Sequence, residues 1–222
     1  MKRIPEPELM DSVAQTKAYA EADFADSNAL FVNSFLDRFP GLPGSGNLVD
    51  LGCGPADICI RLAKKLPGWS ITGLDAGPNM LRQARKAVAA AKLDNTIRLH
   101  LSHLPETSLP GASFEAVVSN SLLHHLPSPA ILWDTVRALA KPGAAVTVMD
   151  LARPESPQAA QAIVAQYAGD APDILREDFY NSLLAAYTPE EVKRQLSGAG
   201  LDSLGIELSS DRHWMVCGRT QN

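Results

Sequence analysis

The chain has 222 residues, 45% of them hydrophobic, and its 20 Lys and Arg stand against 25 Asp and Glu for a formal net charge of -5. That length builds one sizeable core and is too short for two ordinary domains, while the acidic balance gives no electrostatic footprint for a polyanion and argues against nucleic acid as a partner. Three cysteines, Cys53, Cys59 and Cys217, are odd in number and lack zinc spacing, which fits reduced thiols packed in the core of a cytoplasmic protein.

Residues 1–11 mix prolines and acids without an apolar signal core, and no later run is long enough to span a bilayer, so a protein that is neither exported nor membrane-bound is expected. Residues 8–39 carry helix-like patterns, with Phe31, Phe35 and Phe39 at intervals of four, until Pro40-Gly41-Leu42-Pro43-Gly44 breaks them. Strand-like runs follow at 48–51, 70–74, 97–101, 114–119 and 144–149, alternating with helical patterns at 58–66, 79–91 and 130–140. Runs such as Ala116-Val117-Val118 suggest strands buried on both faces, as a parallel sheet requires. Ile131, Leu132, Val136 and Leu139 recur at a helical period, and Lys141-Pro142-Gly143 is expected to end that helix. Residues 152–187 hold two helical stretches, 158–168 and 172–186, before a further helix at 189–199. Runs at 201–208 and 213–218, separated by a few polar residues, look like a hairpin. The pattern predicts a three-layer α/β fold with a mostly parallel sheet closed by an antiparallel pair.

The chemistry concentrates in Val49-Asp50-Leu51-Gly52-Cys53-Gly54-Pro55-Ala56-Asp57 and, about twenty residues on, Gly73-Leu74-Asp75-Ala76. Gly52 and Gly54 can take backbone angles closed to other residues and let a ligand lie against the main chain. The helix that follows aims unpaired N–H groups and a positive dipole end at the turn, and Asp75 can accept two hydrogen bonds from a ribose diol. A dinucleotide site needs a third glycine three residues after the second, and position 57 is an aspartate. A carboxylate there suits a ligand with an amino group and a sulfonium cation better than one with a diphosphate.

These residues resemble the first motif of the class I, Rossmann-like S-adenosylmethionine-dependent methyltransferases, at positions 49–55, and their ribose-binding acid, at Asp75. The resemblance covers roughly residues 47–218 apart from one insertion. It implies a seven-stranded sheet in a single domain: an N-terminal helical lid at 1–46, a cofactor-binding core at 47–151, a helical lid insertion at 152–187, and a C-terminal helix and hairpin at 188–222. S-adenosylmethionine is the implied cofactor and S-adenosylhomocysteine the product. By the same resemblance Asp50, Gly52, Cys53 and Gly54 hold the methionine end, with Asp50 reaching its amino group, and Ala76 and Met80 line the adenine. The acid that accepts from the adenine amino group is replaced by His103, beside Leu104; a neutral imidazole can make that bond and a protonated one cannot.

The fourth strand ends in Ser119-Asn120-Ser121-Leu122-Leu123-His124-His125, where similar enzymes pass the methionine end of the cofactor, so Asn120 is a candidate contact. The Asn/Asp-Pro-Pro-aromatic signature of adenine and glutamine methylation is absent from this loop. Adjacent histidines are expected to point apart, which argues against a metal, and His125 is a candidate for reaching substrate. Asp150 is expected to order its loop or pair with Arg153. Tyr180 and Asn181 in the insertion are candidates to hydrogen-bond substrate, and Tyr19 to close over the cofactor. The expected reaction is in-line methyl transfer to a small-molecule oxygen, nitrogen or sulfur, by a monomer or homodimer. A non-catalytic cofactor-binding module, a protein methyltransferase and, less well supported, a nicotinamide-dependent oxidoreductase are the rivals.

Overall fold

The computed structural model describes every residue except Pro7, Glu8, Met10 and Asn222. Seven strands form one sheet: β1 (Gly46–Leu51), β2 (Trp69–Asp75), β3 (Ile97–Leu101), β4 (Phe114–Asn120), β5 (Ala140–Leu151), β6 (Gly205–Leu208) and β7 (His213–Arg219). They lie in the order β3-β2-β1-β4-β5-β7-β6. The first five are parallel, and β7 runs antiparallel between β5 and β6. The eight α-helices of the described residues are α1 (Val13–Glu21), α2 (Ala25–Arg38), α3 (Asp57–Lys65), α4 (Pro78–Ala90), α5 (Pro129–Leu139), α6 (Pro157–Ala168), α7 (Asp173–Ala185) and α8 (Pro189–Gly198).

The pleat sends consecutive residues of a central strand to opposite layers. Leu48 of β1 packs with Phe31 and Phe35 of α2, Leu62 of α3 and Leu81 of α4, whereas Val49 packs with Trp133 and Val136 of α5 and Val192 of α8. The phenylalanines at fours therefore make α2 a structural layer of the core, and only its first turn reaches the ligand edge of the sheet. The pair α6 and α7 forms a smaller cluster around Val164, Leu183 and Leu184.

Two boundaries differ from the sequence reading. Lys141-Pro142-Gly143 ends α5 as expected but also lies inside β5, which starts at Ala140. The register with β4 breaks between Phe114 and Ala116, and Gly143 has φ +75°, an irregularity that admits a proline into a strand. At the other end, the expected strand 201–208 begins only at Gly205, because Gly200 at φ +68° turns the chain after α8 and sends Leu201 and Leu204 into the core.

The insertion between β5 and α8 leaves and returns at neighbouring points. Ala152 and Tyr187 form a parallel bridge, and the Tyr187 carbonyl accepts from the Arg153 N–H at 3.3 Å and the Trp214 indole at 3.2 Å. No helix among the described residues is long and apolar enough to cross a membrane.

Candidate functional site

The strand order reverses between β1 and β4, where an open parallel sheet leaves a crevice at its carboxyl edge. The glycine turn lies in that crevice. Gly52 (φ +72°), Gly54 (φ +51°) and Ala56 (φ +69°) are all left-handed. The N–H groups of Gly52 and Cys53 both donate to the Leu74 carbonyl, at 2.9 and 2.8 Å, and that of Gly54 donates to Asp75 at 2.9 Å. The other Asp75 oxygen accepts from the Gly77 N–H at 2.8 Å, so this carboxylate ties the two loops together. Burial raises its pKa while those two N–H donors pull it back. Nothing lies within 4 Å of where a Cβ on Gly54 would stand, and α3 begins beside it without a side-chain cap.

A cavity of about 240 Å³ opens against this turn, bounded by Tyr19, Phe24, Asp50, Gly54, Asp57 and Asn120 among others. Asp50 is buried at the end of β1, accepts from the Cys59 thiol at 3.2 Å, and has its carboxyl pushed up to about 7 by burial. Asn120 Oδ1 is buried with no protein partner. Tyr19 stacks on Phe24 with ring centroids 4.7 Å apart. Burial and the nearby Asp75, Asp150 and Asp57 carboxylates push its phenol up to about 12, so it keeps its proton and can donate. Cys53 borders the cavity through its backbone, because its buried side chain sits over Gly73, where a Cβ would meet the sulfur at 2.9 Å.

The structure thus brings Tyr19, Asp50, Gly52, Cys53, Gly54 and Asn120 to one cavity. Asp75 links to it through Gly54. Ala76 and Met80 lie at the start of α4, beneath a residue the sequence reading missed: Asp11 accepts the N–H groups of Asn79 at 2.9 Å and Met80 at 3.0 Å. His103 is exposed on the loop after β3, close enough for its charge to act on Asp75, and Leu104 packs half-buried against the core.

At the β4 and β5 edge the expectations need correction. The adjacent histidines do not point apart. The short 3-10 turn Leu123–His125 brings their ring centroids to 4.1 Å, and both face Glu6, with His124 Nε2 at 3.4 Å and His125 Nδ1 at 3.2 Å from its Oε1. Asp150 orders the loop, accepting from the His124 N–H at 3.1 Å and from its ring Nδ1, but it does not pair with Arg153, which bonds Glu191 at 2.7 Å. Burial works against the His124 proton, yet Asp150 and Glu6 raise its pKa above the ordinary value; burial also opposes the Asp150 charge, and His124 holds that carboxyl low. On α7, Tyr180 faces a second cavity between α6 and α7, away from the glycine turn. One helical turn apart, Asp178 accepts from Gln15 at 3.1 Å and Ser182 donates to Glu6 at 3.1 Å, so these residues, with Asn181 only alongside, carry the α7 contribution. Their i, i+4 spacing was visible in the sequence; nothing local marked Gln15 and Glu6 as their partners.

Residues 49–146 match a family model described as a methyltransferase domain. The chain is 32% identical over 111 residues to an uncharacterized methyltransferase of Mycobacterium tuberculosis, covering 50% of this chain and 53% of that protein. It is 34% identical over 113 residues to the demethylmenaquinone methyltransferase of Listeria monocytogenes, covering 50% and 47%. It spans about half the length of these curated relatives. Among solved structures, a putative S-adenosyl-L-methionine-dependent methyltransferase of Methanococcus maripaludis superposes with a TM-score of 0.75 at 21% identity, over 100% of this chain and 98% of that one. The plantazolicin methyltransferase, solved with a desmethyl analogue and S-adenosylhomocysteine, gives 0.70 at 14%, over 95% and 90%.

Proposed function

We propose that this chain, whose residues 49–146 match a methyltransferase domain, is a methyltransferase of the class I, S-adenosylmethionine-dependent type that transfers a methyl group to a small-molecule acceptor at oxygen, nitrogen or sulfur. The observation that carries the reading is the glycine turn pinned to Asp75 at the reversal of strand order, with an open cradle over Gly54 and the orphaned Asn120 oxygen beside it. The donor set fits the cofactor. Asp75 has acceptor capacity left for a ribose diol after its two backbone bonds, and the uncapped start of α3 suits a carboxylate. Asn120 and Asp50 suit an amino group. His103 and Met80 are proposed for the adenine side.

S-adenosylmethionine supplies an electrophilic methyl group on a sulfonium. What the chain supplies is alignment and exclusion of water, which account for much of the rate in an in-line displacement. The N-terminal segment does the covering: Ile4 N–H donates to Leu184 O at 3.0 Å, Gln15 bonds Asp178, and Arg3 donates to the His124 carbonyl at 2.8 Å. The relatives named above, one named for demethylmenaquinone and one solved with a triazolic desmethyl analogue, support a small, partly apolar acceptor.

The test is calorimetric titration with S-adenosylmethionine, S-adenosylhomocysteine and NADH, followed by a screen of thiols, amines, phenols and quinols for release of S-adenosylhomocysteine. Binding of the first two, weakened about tenfold or more (~1.4 kcal/mol) in Asp75→Asn, is expected. Binding of NADH alone, or of none, overturns the reading; binding without turnover on any acceptor favours a non-catalytic module.

A further inference from the structure

We propose that Glu6, His124 and His125 form a binding site for one divalent transition-metal ion of the zinc class, which staples the N-terminal segment to the β4 and β5 edge. The three donor atoms lie within 4.8 Å of one another. Two of the separations are informative. His124 Nε2 and His125 Nδ1 stand 3.4 and 3.2 Å from the same Glu6 oxygen, longer than the 2.7–2.9 Å of a strong charge-assisted hydrogen bond. They match the edge of a tetrahedron built on metal bonds of about 2.0–2.1 Å, which is about 3.3 Å.

The surroundings are those of a metal ligand set. Asp150 engages His124 at Nδ1, which fixes the ring orientation and leaves Nε2 directed at Glu6; a carboxylate behind a histidine is the usual outer partner of a metal site. Asp150 is itself held by the N–H groups of His124 and Leu151. Ser182 orients the Glu6 carboxylate from α7. Two buried carboxylates, Glu6 and Asp150, with two neutral imidazoles balance the charge of a divalent ion. Two imidazoles and one carboxylate leave a fourth position for water or an acceptor atom. The ligands come from residue 6 and from the 124–125 turn, so the ion closes a long loop of chain and adds its binding free energy to the docking of the N-terminal segment. The site stands whether or not the glycine turn binds a nucleoside.

The test uses the full, tag-free chain, stripped with a chelator, dialysed, and titrated with Co²⁺ and then Zn²⁺. One equivalent of Co²⁺ is expected to give visible ligand-field bands of a four- or five-coordinate centre, which Zn²⁺ bleaches, and Zn²⁺ is expected to raise Tm. Glu6→Gln and His125→Asn are expected to weaken Co²⁺ binding at least tenfold, with metal-free circular dichroism unchanged. Asp173→Asn, at the exposed start of α7, is expected to bind as the wild type does. Absence of visible bands together with no Tm response to Zn²⁺ overturns the proposal, as does equal binding by the wild type and both ligand variants. Failure of S-adenosylmethionine binding with retention of the cobalt spectrum would sink the proposed function and leave the metal site standing.

Discussion

A methyl group added at position 52 and one added at position 54 meet different surroundings. Both backbones are left-handed, which costs an L side chain about 1–2 kcal/mol. At 52 the new Cβ would also meet Leu122 at 2.8 Å, whereas at 54 it meets no protein atom within 4 Å. Gly52→Ala is therefore expected to lose more stability than the strain alone, because Leu122 and the 3-10 turn behind it must shift. Gly54→Ala is expected to lose about 1–2 kcal/mol in chemical denaturation while binding S-adenosylhomocysteine at least tenfold more weakly, because its methyl group occupies the cradle. Wild-type affinity in Gly54→Ala would remove the cradle from the site.

Helix α4 begins at a glycine cap with no side-chain bond of its own, and Asp11 supplies the missing acceptor from a distant part of the chain. A Cβ at Gly77 would lie 2.6 Å from that carboxylate, which explains the residue there. Asp11→Ala is expected to cost about 1 kcal/mol, the usual worth of a cap, and to speed proteolytic cleavage in the first two dozen residues; Asp11→Asn, which keeps an acceptor oxygen, is expected to stay near the wild type. Equal cleavage rates in Asp11→Ala and wild type would show that the segment docks without this bond. The alternation of apolar runs made the sheet and its helices readable from the sequence, because period and punctuation are local. The glycine turn and Asp75 were readable for the same reason: their backbone demands are written in adjacent residues. Glu6 and Asp11 were not, since a proline-rich acidic stretch carries no signal of what it will dock against. His124 and His125 were read as diverging because neighbours in sequence usually do, and a 3-10 turn folds them onto one acid that lies far away in the chain. Tyr180 was chosen for its chemistry, and helical phase turned it towards α6 instead.

For the whole molecule, two buried groups set opposing acid responses. Burial, reinforced by the Arg212 charge and only partly offset by Asp150 and Asp211, holds His213 down to about 4. The native state keeps it neutral where the unfolded chain is protonated, so its contribution is full above about pH 6.5 and lost as pH falls to about 4. Asp50, pushed up to about 7, keeps its proton where the unfolded chain has released it, and its contribution is lost as pH rises from about 4 to 7. Each amounts to at most about 3–4 kcal/mol. Measured against wild type, the Tm of His213→Asn is expected to gain on acidification from pH 7 to 5 and that of Asp50→Asn to fall; parallel profiles for the three proteins would contradict both assignments. The narrow neck at Ala152 and Tyr187 has a different consequence. Because the chain enters and leaves α6 and α7 at this one bridge, and the sheet meets them chiefly at Leu151, the stretch between is an exchangeable cassette once Asp178 and Ser182, which hold the N-terminal segment, are kept. Transplanting the matching stretch from a relative is expected to carry that relative's acceptor preference with it, so a chimera series joined at these two residues maps selectivity without disturbing the scaffold.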